Sequence, residues 1–220
     1  MTTLSQQLEE YRAGWMLRVP AERRAAMERH IDHLLKSGVS ANARQAGDRA
    51  PEIVLPDAHG RPLDVATLLA KGPVIVTFYR GGWCPYCNLE LRAYQAVLPR
   101  IIAAGARLVA ISPEKPDDTV STVEKNALTF PVLSDIGQKV GKAFGLVYSF
   151  TDELRTVYDG FKLDIPEKNG SPDDWSLPLS ATYVIRSNGL ILFADTSVDY
   201  RRRTDPEDVL RVLEHRAAAE

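Results

Sequence analysis

The spacing of apolar residues changes period along this chain. Leu4, Leu8, Tyr11 and Trp15 recur at helical spacing, with Thr3 or Ser5 placed to cap the segment. A second stripe, Met27, Ile31, Leu34 and Leu35, follows Pro20, which suits a first helical position, and ends near Gly38. Stripes of this kind cover their own domain or form a dimer contact. From Pro51 the period shortens. Ile53-Val54-Leu55 and Leu63 flank the turn Asp57-Ala58-His59-Gly60 and predict paired extended segments. A strand over 73–79 then leads into a helix over 85–103 that Gly105 ends. A strand over 107–112, a helix near 118–128, a short strand at Val132-Leu133-Ser134 and a helix over 136–144 follow.

Residues 146–179, with Pro166, Gly170, Pro172 and Pro178, break the alternation. A connection this long is expected to be functional or to carry minor structure of its own. Ala181 to Ile185, an Asn188-Gly189 turn and Leu190 to Phe193 then predict a hairpin. A last helix starts at Asp205-Pro206-Glu207, with Val209, Leu210 and Leu213 facing inward. Alternating strands and helices are the mark of an α/β layer with parallel neighbours. The organisation is a helical N-terminal extension, 1–46, and one α/β domain, 47–220.

Composition changes this picture little. The chain has 220 residues, 45% apolar and 25% charged, with a net charge of −2. That balance gives no reason to expect nucleic acid as a partner, and no apolar run approaches the ~20 residues a membrane span needs. The first ten residues lack the basic stretch and apolar core of a secretory leader, so a cytoplasmic, thiol-reducing setting is expected.

The chemistry is concentrated in Phe-Tyr-Arg-Gly-Gly-Trp-Cys-Pro-Tyr-Cys, residues 78–87, which hold the chain's 2 cysteines. A Cys-x-x-Cys where a strand hands over to a helix is a redox device. As a staple it would contribute only roughly 2 kcal/mol for so small a ring. The first sulfur of such a turn meets unpaired N–H groups and the helix dipole, both favouring its thiolate. Cys84 is therefore the expected nucleophile and Cys87 the resolver. Lowering a thiol pKa from ~8.5 to ~7 raises the thiolate fraction at pH 7 about sixteen-fold, but nucleophilicity falls roughly five-fold. A net gain of about three-fold is too small for a fast enzyme, so donors to the developing oxygen charge must supply the rest. Arg80 could be such a donor, or a surface arginine. Trp83 is expected to pack beside the turn, and Gly81 and Gly82 to let backbone approach the sulfur.

With Gly47-Asp48-Arg49-Ala50-Pro51, Leu55-Pro56-Asp57, Val109-Ala110-Ile111-Ser112, Phe130 to Asp135 and Ala181 to Ile185, the sequence resembles the peroxiredoxin-like branch of the alkyl hydroperoxide reductase/thiol-specific antioxidant family over about 46–215. The resemblance implies a thioredoxin-like fold, a central mixed sheet flanked by helices. It implies reduction of hydrogen peroxide or organic hydroperoxides through a Cys84–Cys87 disulfide, without another cofactor. Its partner would be a thioredoxin-like or glutathione-type reductant. Counted from Cys87, the places where the family has a Pro and a Thr hold Arg80 and Cys84, and Glu90 falls where the family has its Glu. That frame makes Cys87 the attacking sulfur, the reverse of the roles above. Ser180 stands where thioredoxins place a cis-proline and peroxiredoxins an arginine.

Two other readings remain open: a thiol-disulfide oxidoreductase of thioredoxin or glutaredoxin type, since Cys-Pro-Tyr-Cys is the glutaredoxin tetrapeptide, and a redox-gated binding protein using the arm and the 146–179 loop. No metal site is expected, because two cysteines need two further ligands. His30 and His33 read as surface residues, and His59 and His215 lack a partner motif. Arg201-Arg202-Arg203 read as a solvated run.

Overall fold

A computed structural model describes residues 2–217. Helix α1 (Leu4–Arg18) starts at a capping box in which Thr3 and Gln6 satisfy each other's backbone N–H groups. Helix α2 (Ala21–Ser37) begins after Pro20 and ends at Gly38, whose φ of 67° is the left-handed cap that glycine accepts at least cost. Met27, Ile31 and Leu34 are buried, whereas Leu35 turns outward. Both helices lie on the chain's own α/β unit, α1 against α4 and α2 against α7. His30 is buried there against Tyr148 and Phe150, with neither ring nitrogen hydrogen-bonded among the described residues. The expected surface position holds for His33 but fails for His30, because α2 docks by the face that carries it.

Strands β1 (Val54–Pro56) and β2 (Pro62–Asp64) form the short ribbon the sequence predicts. After the one-turn helix α3 (Ala66–Leu69) comes β3 (Val74–Phe78), buried at every position, and then α4 (Pro85–Ala103), β4 (Arg107–Ser112), α5 (Pro116–Lys125) and β5 (Val132–Ser134). Helix α5 starts earlier than expected, with Pro116 in its first turn, and ends before Ala127, whose φ is 49°. The helix expected over 136–144 is broken by positive φ at Gly137 and Gln138, so only α6 (Lys139–Ala143) is regular.

The insert is structured. It holds β6 (Val147–Ser149), α7 (Asp152–Gly160), α8 (Ile165–Asn169) and β7 (Ser176–Pro178), the two strands pairing antiparallel. The hairpin β8 (Ser180–Ile185) and β9 (Ile191–Ser197) follows, and α9 (Pro206–Ala217) closes the chain.

The central sheet has the order β5-β4-β3-β8-β9. Strands β3, β4 and β5 run parallel, as helical crossovers require, whereas β8 pairs antiparallel with β3 and β9 antiparallel with β8. The register sets Phe78 beside both Ile111 and Ala181, and Ala181 beside Thr196. The C-terminal ends of β3 and β4, the start of β8 and the end of β9 therefore meet at one edge, where open α/β sheets place their sites.

Candidate active site

At that edge the chain leaves β3 through Tyr79 and Arg80 and turns over two glycines. Gly81 has φ of 148°, and a Cβ there would lie 2.3 Å from Trp83 Nε1. A Cβ on Gly82 would come within 1.9 Å of Thr122 Oγ1. The turn is held at both polar groups of Gly82. Its N–H donates to Glu114 Oε2 at 2.7 Å, and its carbonyl accepts from Asn88 Nδ2 at 2.8 Å. Asn126 Nδ2 in turn donates to Asn88 Oδ1 at 2.9 Å. Cys84 thus becomes the N-cap of α4, with Pro85 after it supplying a preset φ where no N–H is needed.

Both cysteines are free thiols with 0% exposure, and each has its own guanidinium. Arg80 Nη2 donates to Cys84 Sγ at 3.0 Å, and Arg80 Nη1 to the Tyr158 hydroxyl at 2.7 Å. The Arg80 guanidinium carbon lies 4.2 Å from the Tyr200 ring centre and 5.1 Å from that of Trp83. Arg203 Nη2 donates to Cys87 Sγ at 3.2 Å, and its Nε lies 2.8 Å from Glu90 Oε2.

These partners separate the two sulfurs. Among the described residues Arg80 has no carboxylate partner, so no counter-ion competes with Cys84 for its charge, whereas Arg203 shares its charge with Glu90. Burial works to raise the Cys84 thiol, but the hydrogen bond from Cys87 and the guanidinium groups of Arg80 and Arg203 outweigh it and hold the thiol well below its ordinary value. Burial pushes Cys87 well up, and its role as donor to a Cys84 thiolate adds to that. Burial also pushes Glu90 up to about 7, even against Arg203.

Above Cys84 lies an apolar cavity of about 150 Å³, walled by Tyr11 and Trp15 of α1, Met27 of α2, Phe161 and Leu163, with Arg80, Trp83, Tyr158 and Tyr200 toward the sulfur. The arm and the insert therefore form the walls above the dithiol. Trp83 stands edge-on to Tyr158, with ring centres 5.8 Å apart.

Of the residues singled out from sequence, Cys84, Cys87, Arg80 and Trp83 come together. Arg80 is buried, so the surface reading fails: the turn points its side chain inward beneath Tyr200. Ser180 makes no hydrogen bond to any of them. It opens β8 opposite Ser197, its buried hydroxyl lacks a partner, and it lines a small cavity behind Glu90 and Arg203. Pro178 is trans and ends β7. The solvated reading of Arg201 to Arg203 holds only for Arg202. The Arg203 side chain is wholly buried, and Arg201 pairs with Asp199 and Glu28. Sequence reasoning missed Arg203, Tyr158, Tyr200 and Glu114. A dense cluster of aromatics in and around the insert was the visible signal for Tyr158, but nothing local separates Arg203 from its exposed neighbour.

A strand-to-helix dithiol on a mixed sheet of this order defines a thioredoxin-fold redox protein. Its sequence profile narrows the class: that of the AhpC/TSA family matches residues 46–194, and the chain belongs to that family. A putative peroxiredoxin of Mycobacterium tuberculosis is 36% identical over 99 residues, 45% of this chain, and the match spans 62% of that relative's length. Peroxiredoxin Bcp of Escherichia coli is 30% identical over 119 residues, 54% of this chain and 75% of that protein. Among solved structures, peroxidoxin BcpB of Mycobacterium tuberculosis aligns with a TM-score of 0.61 at 22% identity, covering 78% of this chain and 97% of that one. AhpC of the same organism gives 0.62 at 16% identity, covering 81% and 96%. At those identities the likeness to the solved structures is one of fold.

Proposed function

We propose that this protein is a thiol peroxidase of peroxiredoxin type in which Cys84 attacks and Cys87 resolves. The observation that carries the reading is the guanidinium of Arg80, without a carboxylate partner among the described residues and 3.0 Å from a sulfur at the N-cap of a 19-residue helix. The Cys84 thiolate attacks the terminal oxygen of a hydroperoxide, the O–O bond breaks, Cys84 becomes a sulfenic acid, and the departing oxyanion takes a proton from solvent and leaves as alcohol or water. Arg80 meets the charge that develops on the departing oxygen, the task of the missing Thr. Cys87 then loses its proton beside Arg203 and attacks the sulfenic sulfur. Water leaves and the Cys84–Cys87 disulfide closes. Two electrons from a thioredoxin-like or glutathione-type reductant reopen it.

Exposure ranks the two enzyme readings. In the reduced protein a sulfur with 0% exposure offers a folded protein disulfide no approach, whereas a reductant meets the oxidised, disulfide form. A hydroperoxide head needs only side-chain movement in the cavity walls, and the apolar lining suits an organic tail. No helix among the described residues is long and apolar enough to cross a membrane. The cycle calls for a thiol-reducing compartment such as the cytoplasm. For a homodimer, Met16, Leu17 and Leu35 are the apolar side chains the arm still presents outward.

Dimedone trapping tests the roles. After one equivalent of hydroperoxide the Cys87→Ser protein should carry the label on Cys84, and the Cys84→Ser protein none. Label confined to Cys87 in the Cys84→Ser protein reverses the assignment. Peroxide consumption by the intact protein no faster than that of free cysteine refutes the peroxidase.

A further inference from the structure

A second cavity lies on the other side of Tyr86, whose ring lines both. It measures about 240 Å³, and its lining mixes charged and apolar side chains where that of the first is mostly apolar. At about 30 Å³ per water it holds roughly eight, far more than one inorganic anion needs. Helix α1 supplies Glu9 and Arg12, and the segment before α9 supplies Arg202, Arg203 and Asp205. Asp199 and Arg201 also line it but neutralise each other. Arg12 makes no hydrogen bond or ion pair among the described residues, and its Nε is buried without a partner. The Arg202 side chain is exposed and unpaired among the described residues. Arg203 joins this cavity to the dithiol through its 3.2 Å contact with Cys87 Sγ. The free groups are therefore two unpaired guanidiniums with carboxylates beside them, one guanidinium away from Cys87.

We propose that this cavity binds the electron donor, a small peptide thiol carrying carboxylates and an ammonium, the glutathione class, and delivers its sulfur to Cys87. Arg12 and Arg202 would take the carboxylates, with Glu9 or Asp205 for the ammonium. The proposal rests on the dithiol cycle above. The donor thiolate attacks the Cys87 sulfur, the Cys84–Cys87 bond breaks, and Cys84 leaves as a thiolate held by Arg80. A second donor thiolate attacks the donor sulfur of the mixed disulfide. The donor disulfide is released and Cys87 takes a proton, so two thiols are oxidised as one disulfide is reduced. The direction of attack agrees with leaving-group chemistry, since the more acidic thiol departs faster. Separate entrances for peroxide and donor follow from the two cavities.

The test measures the reductive step alone, on protein first oxidised with diamide, so it does not depend on peroxide being the oxidant. Rates of disulfide opening by glutathione and by 2-mercaptoethanol, which has neither carboxylate nor ammonium, are compared for wild type, Arg12→Gln, Arg202→Gln and a distant control, Lys71→Gln. The glutathione to 2-mercaptoethanol rate ratio should fall about ten-fold in the double Arg12→Gln/Arg202→Gln protein and stay within two-fold in Lys71→Gln. Wild type should trap glutathione on Cys87 when quenched with acid. An unchanged ratio in the double variant, an equal fall in Lys71→Gln, or glutathione found only on Cys84 overturns the proposal. Failure of the peroxide assay alongside the expected ten-fold fall in the ratio would refute the peroxidase reading instead.

Discussion

Replacing Arg80 by Met removes the guanidinium 3.0 Å from Cys84 Sγ while keeping much of the side-chain volume. With charge centres about 4 Å apart and an effective dielectric near 20, the lost attraction is about 4 kcal/mol. At about 1.4 kcal/mol per pH unit, that moves the ionisation of Cys84 up by about three. The thiolate population at neutral pH then falls by up to about a thousand-fold. A more basic thiolate is the better nucleophile by roughly thirty-fold, so simple alkylation should slow by about thirty-fold at most. Peroxide reduction should slow further, because the donor to the departing oxygen is lost as well. The assay is the pH dependence of iodoacetamide alkylation and of hydroperoxide reduction, both in a Cys87→Ser background so that one sulfur reports. Above its new midpoint the Arg80→Met protein should alkylate faster than its parent yet still reduce peroxide more slowly. Arg80→Lys keeps a charge and should recover part of both. The Tyr158 hydroxyl loses its partner in the Met variant, a cost of about 1–3 kcal/mol that a thermal melt detects separately. An alkylation midpoint that moves by less than about one pH unit refutes the assignment of Arg80.

Burial holds Glu114 up at about 7, against the Gly82 N–H, which acts in the opposite direction. A carboxyl raised in the folded protein binds its proton more tightly there than in the unfolded chain, so stability declines as pH climbs from about 4.5 to about 7. The span corresponds to roughly 3 kcal/mol. Glu114→Gln keeps an acceptor for Gly82, and its stability relative to wild type should grow by about that much between those pH values in urea unfolding; a constant difference would exclude Glu114 as the source. Gly82→Ala drives a Cβ to within 1.9 Å of Thr122 Oγ1 and should destabilise by about 1–3 kcal/mol. Thr122→Ala should recover part of this loss and of the activity, and no recovery would mean the strain lies elsewhere.

Much of the fold was legible because its signals are local. Pro85 and Gly105 bracket α4, and the Asn-Gly turn announces the β8–β9 hairpin. The 136–144 segment was misread because helical periodicity outweighed the turn chemistry at Gly137. Leu35 reads inward with Leu34 because adjacent positions can share a wide apolar stripe, and only the docking of α2 buries Leu34 and leaves Leu35 outside.

The sequence by itself determined the dithiol, its place between strand and helix, the α/β alternation and the family, since each rests on residues close together in the chain or on ordered motifs. Tertiary structure decided which arginine serves which sulfur. Arg80 acts on Cys84 through a turn, but its second anchor, Tyr158, lies 78 residues away. Arg203 reaches Cys87 across 116 residues, and its neighbour Arg202 stays in solvent. The reason is physical: how strongly a charge acts on a thiol depends on burial and on which counter-charges share it. Both are set where the sheet edge, the arm and the last loop converge.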